Sequence, residues 1–326
     1  MPLYRLALFL LLAWAVLPLA ASAQLLPGRA GSAVVVTERV RAELLAHAPE
    51  GLAPGKPVWL GLQIAHQPEW HTYWKNPGDS GLPTVLDWQL PAGLKAGEIR
   101  WPVPRKIPIG HLANYGYEGT VLLPVPVEVG AGLPPDGDAT VRLKATWLVC
   151  KQECIPESGE FTLRLPASGS LALHGAAFDA ALAAVPQALP SSSATSGRIE
   201  DGALALRVAG LPAALRGQRL ELFPELPGIT EPAAAWTQAW DGEAWTARIP
   251  LSPHRSASPQ LLPVVLAAAG AGGGWRAEVA VAGPWPPTTA PAQVPAALED
   301  ALRQNAAQAG APRPAGPGIG LWAALA

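Results

Sequence analysis

Cysteine is nearly absent from this sequence: Cys150 and Cys154 are the two it has in 326 residues. A cysteine pair alone lacks the ligands of a metal centre, so none is expected. Charge is also scarce, with 15% charged residues and a formal net charge of −2. No basic field exists that would draw nucleic acid, which is excluded as a partner. Long apolar runs are missing too. The run from Leu6 to Ala20 falls short of the roughly 20 residues a spanning helix needs, and Gly320 to Ala326 is shorter still. What the chain does have is 13 tryptophans, 33 glycines and 37 prolines. The glycine and proline density stays below the roughly 25–30% that suggests disorder, and it punctuates short alternating segments in the manner of a β-sandwich.

The amino terminus reads as a signal peptide. Arg5 precedes the apolar run, and Ala21-Ser22-Ala23 forms an A-x-A cleavage site before Gln24. An uncleaved anchor is the alternative. Export into an oxidising compartment makes the two cysteines a pair.

Strands are expected at 32–45, 57–65, 84–89, 97–101, 120–129, 140–149 and 160–165, separated by turn signals such as Pro49-Glu50-Gly51, Pro91-Ala92-Gly93 and Pro134-Pro135-Asp136-Gly137. About seven short strands is the count for an immunoglobulin-like sandwich, although a barrel would give a similar pattern. Phe178, Leu182 and Val185 recur at helical spacing, and the Ser-rich stretch 190–196 reads as a flexible join. Beyond it, alternation at 203–208, 219–223, 244–249, 262–267 and 275–281 predicts a second, smaller sandwich. Past a proline-rich break at 284–291, Val294, Leu298 and Leu302 form a narrow stripe on a helix beginning at Pro295. The fold class is therefore all-β, two immunoglobulin-like β-sandwich domains with short linking helices.

The chemistry centres on TVRLKATWLVCKQECIP, residues 140–156. Val141, Leu143, Ala145, Trp147 and Val149 alternate with Arg142, Lys144, Thr146 and Leu148, so a half-buried strand runs into Cys150. Four extended steps would separate the two Cα atoms by roughly 13 Å, against about 4.4–6.8 Å in a disulfide. The pair can bond only if Lys151-Gln152-Glu153 turns back, and these residues suit one helical turn. A loop of about five residues gives a disulfide only ~2 kcal/mol of chain-entropy stabilisation, against ~4.7 for a hundred. Two readings stand: a structural clip, and a bond open to exchange with another protein's thiol, which the spacing favours.

WLVCKQECIPESGEF, HTYWKNPGDSGLP and the run from Ile107 to Val127 resemble the amino-terminal periplasmic region of the DsbD/ScsB family of membrane thiol:disulfide interchange proteins. The similarity covers most of 34–166 and extends more weakly to about 284. It implies an immunoglobulin-like sandwich that relays electrons from a membrane-embedded domain, in the same or another chain, to thioredoxin-like periplasmic partners, with no cofactor. Cys150 and Cys154 match the redox pair, and Ile155-Pro156-Glu157 match the three residues on its carboxyl side. Three residues separate the cysteines here where the best-known DsbD form has five, which points to the ScsB-like branch. The expected organisation is then a signal peptide (1–23), an immunoglobulin-like redox domain (24–168), a helical linker (169–196), a second β-sandwich (197–284), a proline-rich linker and helix (285–316) and the start of a truncated membrane segment (317–326).

The resemblance also nominates Pro108 to Tyr117 as a loop that caps the pair, with Ile109, His111, Tyr115 and Tyr117 as its candidate residues; an ordinary inter-strand loop is the alternative. Between His66 and Pro83, Trp70, His71, Tyr73 and Trp74 crowd into a stretch that reads as a loop, at the core edge or facing a partner. Gly78-Asp79-Ser80-Gly81-Leu82-Pro83 is similar to the nucleophile motif of trypsin-like proteases, but it sits early, has Leu82 for the second glycine and lacks a matching histidine segment. A tight Asn-Pro-Gly-Asp turn explains it. Lys151 beside Cys150 and Glu153 beside Cys154 nominate Cys150 as the thiolate, whereas the family pattern makes Cys154 the residue that joins partners.

Overall fold

The computed structural model describes residues 31–133, 138–166, 169–190, 193–270 and 272–288. The expected signal peptide with its cleavage site, the Pro134–Gly137 turn, the helix with Val294, Leu298 and Leu302, and the segment 317–326 lie outside the described residues, as do 191–192 of the expected join.

Among the described residues, eleven strands precede residue 167: β1 (Val34–Val36), β2 (Val40–His47), β3 (Trp59–His66), β4 (His71–Gly78), β5 (Val85–Gln89), β6 (Leu94–Ala96), β7 (Arg105–Ile109), β8 (Leu112–Glu118), β9 (Thr120–Val129), β10 (Asp138–Cys150) and β11 (Cys154–Pro166). They form two sheets, β1-β2-β3-β9-β6 and β11-β10-β4-β8-β7, with β5 paired to β10. Val141, Leu143, Ala145, Trp147 and Val149, which the alternation marks as inward, are all buried in the core between the sheets. This is the immunoglobulin-like sandwich.

The departures from the expected strands have local causes. The segment 32–45 is a hairpin, because the Thr37 hydroxyl accepts from the backbone N–H groups of Arg39 and Val40 and turns the chain. The segment 97–101 forms no ladder: the N–H groups of Gly97 and Arg100 reach the carbonyls of Pro126 and Pro124, which have no N–H to return. The loops expected at 66–83 and 108–117 are instead β4 and the β7–β8 hairpin. From His71 to Trp74, and from Ala113 to Tyr117, consecutive residues are buried, so both faces of these strands are covered and polar–apolar alternation vanishes.

Helix α1 (Gly175–Ala183) buries Phe178 and Ala181 against Leu45 and Leu122 of the first unit. The remaining strands are β12 (Gln187–Ala188), β13 (Thr195–Glu200), β14 (Ala203–Val208), β15 (Leu220–Pro224), β16 (Thr237–Asp241), β17 (Ala244–Pro250), β18 (Leu261–Ala268) and β19 (Trp275–Ala282). They form one curled sheet, β15-β18-β19-β13-β14-β17-β16, with β12 also on β19. Ladder pairing thus starts at Gln187, ahead of residue 197, because β12 lies parallel to β19. The Gln238 side chain joins the ends of the curl: its carbonyl accepts from Leu220 N–H at 2.8 Å and Trp245 Nε1 at 3.0 Å, and its amide donates to Leu220 O at 2.8 Å. Both halves of the sandwich are therefore made from a single hydrogen-bonded sheet.

Candidate redox site

β10 and β11 are the two arms of one hairpin, and Cys150 faces Cys154 on its final rung. Such a rung brings Cα atoms close: here they are 4.2 Å apart, and the cysteines are joined as a disulfide. Lys151-Gln152-Glu153 form the bend, with Lys151 N–H reaching Glu153 O, a hairpin turn rather than the helical turn expected. Because successive side chains alternate, Cys150 and Cys154 point away from the core, on the same face as Leu148 and Pro156.

The two sulfurs have different surroundings. Cys150 is 2% exposed, whereas Cys154 is open to solvent. What covers Cys150 is Tyr73, which is fully buried and whose hydroxyl donates to Cys150 Sγ at 2.8 Å, with Cys154 Sγ at 3.4 Å. β4 brings it there: His71 is the ladder partner of Cys150, so His71 and Tyr73 share the cysteines' face. Asn114 of β8 makes long contacts to Tyr73 Oη (3.4 Å) and His71 Nε2 (3.5 Å), and receives Ser80 Oγ–H on its Oδ1 at 3.0 Å. Gly81, at φ +108°, lies flat on the Tyr73 ring, where a Cβ would come within 2.2 Å of it. The Gly78–Pro83 motif is thus the turn that packs down the tyrosine.

The expected cap does not take the form the sequence suggested. Ile109 pairs with Leu112 at the hairpin tip, where His111 is exposed. Tyr115 packs edge-on to Phe223 at 5.1 Å, and Tyr117 donates to Pro102 O at 2.7 Å. Among the described residues, Asn114 is the member of this hairpin with a hydrogen bond into the sulfur cluster. Tyr73, His71 and Asn114 are what sequence reasoning missed as site residues; an aromatic cluster without alternation, 77 positions before a cysteine, carries no local sign of contact with it.

The cation beside the pair is engaged by a carboxylate. Lys151 Nζ is engaged by Glu69, so its ammonium is not a free cation beside Cys150. Glu157 turns inward and binds Thr37 Oγ1, Arg39 Nη1 and Trp147 Nε1 at 3.0–3.2 Å, which ties β11 to the β1–β2 turn. Burial pushes the Tyr73 phenol up to about 12, with Ser80 offsetting part of the rise, so at neutral pH it keeps its proton and remains a donor. Burial, and then His66 nearby, bring His71 down from 6.5 to about 4, so its ring is neutral.

The sequence profile described as "Thiol:disulfide interchange protein DsbD, N-terminal" matches residues 41–166. This stretch belongs to the DsbD amino-terminal family. Among solved structures, the N-terminal periplasmic domain of ScsB from Proteus mirabilis is similar over 77% of this chain and 97% of its own, with a TM-score of 0.57 and 17% identity. That likeness carries the fold across both β units. No curated protein matches the chain. Thiol–disulfide interchange is the chemistry of the DsbD family, and Cys150 and Cys154 lie inside the matched stretch.

The neutral His71 sets a pH dependence. An unfolded histidine titrates near 6.5, so between 6.5 and about 4 the unfolded chain binds a proton that the folded site refuses, and stability falls as pH drops through that window. Burial also lowers His66, against a hydrogen bond to Gly119 O. Thermal midpoints should therefore fall from about pH 7.5 to about pH 5, where most carboxylates are still ionised, and His71→Asn should flatten the slope. An unchanged slope would place the titration elsewhere.

Proposed function

We propose that this protein relays reducing equivalents in the periplasm by thiol–disulfide exchange through Cys150 and Cys154, from a DsbD-type membrane domain, in the same or another chain, to thioredoxin-like partners. The observation that carries this reading is the asymmetry of the pair: an exposed Cys154 and a Cys150 buried beneath a hydroxyl donor. A donor protein's thiolate attacks Cys154 Sγ, a new S–S bond forms, and the Cys150–Cys154 bond breaks with Cys150 leaving as thiolate. The Tyr73 hydroxyl is placed to donate to that thiolate, and a stabilised leaving group departs faster. The donor's second thiolate then attacks its own bridged sulfur and frees Cys154, leaving this pair reduced by two electrons. In the outward step, Cys154 thiolate attacks the acceptor's disulfide, and Cys150 attacks Cys154 Sγ to reform the bond and release the reduced acceptor.

Local charge, which favoured Cys150 as the attacking thiolate, carries less weight once Lys151 is paired with Glu69. Access decides instead, and it favours Cys154. With Cys150→Ser, Cys154 should trap thioredoxin as a disulfide-linked complex on a non-reducing gel. Trapping solely through Cys150 in Cys154→Ser would reverse the assignment, and trapping by neither would remove the exchange reading.

A docking surface adjoins Cys154. Leu82, Pro83, Val85, Leu148 and Pro156 line an apolar groove of about 550 Å³ on the cysteines' face, with Leu82 66% and Val85 56% exposed. Two residues along a strand is about 7 Å, so Pro156 lies well within the ~16 Å radius of a standard ~800 Å² contact patch centred on Cys154. Leu82→Ser with Val85→Ser should slow exchange with reduced thioredoxin roughly tenfold, two lost apolar contacts at ~1 kcal/mol or less each, while leaving reduction by dithiothreitol unchanged. Equal slowing of both reactions, or no change in either, would remove the groove from the docking surface.

A further inference from the structure

The curled sheet's Phe223–Leu226 segment touches the back of the strand whose front carries Tyr73. On β4, His71 and Tyr73 face the sulfurs, while Trp74 and Asn76 face the other way. Trp74 meets Phe223 edge-on at 6.2 Å, and Phe223 also packs on Tyr115, the neighbour of Asn114. Asn76 is 3% exposed and donates through Nδ2 to Pro224 O at 2.7 Å and Leu226 O at 3.3 Å. Its Oδ1 accepts Gly78 N–H at 3.0 Å, at the start of the turn that packs Gly81 onto Tyr73. Lys75 Nζ binds Glu225 Oε1 at 2.7 Å, and Arg276 Nε reaches the same oxygen at 3.0 Å. Burial raises the Glu225 carboxyl, but the hydrogen bonds from Arg276 and Lys75 outweigh it and hold the group below its ordinary value, so the cluster is ionised at neutral pH.

These contacts fall where the sheet's own bonding gives out. The β4–β8 ladder breaks between Tyr73 and Gly78, and β4 meets β10 on the single rung His71–Cys150. Backbone pairing therefore fixes β4 up to Tyr73, and across the next four residues the fixing groups are Asn76, Lys75 and Trp74 held by the second unit. We infer that the Phe223–Leu226 segment is a brace that sets the Tyr73 hydroxyl against the Cys150 sulfur, with Asn76 and Phe223 as positioning residues for exchange at the cysteine pair. The second β unit thereby takes part in the redox site although none of its described residues is hydrogen-bonded to either sulfur.

The inference rests on the exchange reading for its purpose but is tested through Tyr73 alone. Asn76→Ala and Phe223→Leu are each made with Tyr73 present and with Tyr73→Phe. Two quantities are read: the rate of reduction by dithiothreitol, and the thiol pKa from the ultraviolet absorbance of the thiolate in protein reduced with a phosphine. With Tyr73 present, each variant should slow reduction at least about twofold, the low end of coupling between contacting groups, and raise the first thiol pKa. With Tyr73→Phe in place, neither variant should change either quantity. Equal effects in both backgrounds, faster reduction, or a lowered melting temperature with rate and thiol pKa unmoved would overturn the brace. Phe223→Leu keeps the site apolar, so it decides the matter should Asn76→Ala not fold. If dithiothreitol leaves the wild-type disulfide intact, the exchange reading fails, while the thiol titration still reports on the brace.

Discussion

Thirteen rungs of antiparallel ladder join β10 to β11, and the last sets Cys150 opposite Cys154. The site depends on that register. Side chains on a strand alternate, so a slip of one residue would turn the cysteines inward and expose Val149 and Trp147, which are buried. The long inward row of Val141, Leu143, Ala145, Trp147 and Val149 holds the register by burial, and Glu157, gripped by Thr37, Arg39 and Trp147, holds the second arm. A five-residue disulfide adds about 2 kcal/mol by chain entropy, a small amount beside an apolar row whose members contribute about 1.5–3 kcal/mol each when the side chain is large. The hairpin brings the sulfurs together, and the bond adds little beside the burial that holds the register.

Around the pair, the chain relies on neutral donors rather than charge. Lys151 is paired with Glu69, His71 is kept uncharged by burial, and Tyr73 keeps its proton to about 12. A hydroxyl held at 2.8 Å can stabilise a thiolate on Cys150 without attracting other anions to it. Burial of the same sulfur leaves Cys154 as the accessible end of the bond, so one tyrosine shields Cys150 and, in the proposed exchange, directs attack to Cys154.

The legible parts of the sequence were those whose physics is local. The expected strands β3, β9, β10 and the five strands of 203–281 agree with the structure to within a few residues: β10, β14, β17 and β19 alternate between a buried and a wetter face, whereas β9, buried throughout Val121–Val125, is legible as a continuous apolar run. Cysteine spacing located the disulfide pair, and helical spacing of Phe178 marked α1. β4 and β8 were hidden because both of their faces are buried, and they are the strands that carry Tyr73 and Asn114 to the sulfurs. The surroundings of Tyr115 and Tyr117, nominated by resemblance as cap residues, were not legible either, because their partners, Phe223 and Pro102, are contributed by distant or unpatterned segments. The Phe223–Leu226 contact, about 150 positions from Asn76, left no trace in either segment.

In the proposed function the Cys150–Cys154 bond is made to be exchanged. The most direct test is its equilibrium in a graded redox buffer, with the fraction oxidised read by thiol alkylation. An exchange site should be half-reduced at a moderate potential, above about −300 mV, in the range of thioredoxin-like proteins. A pair that stays oxidised well below about −300 mV would behave as a structural disulfide and contradict the account.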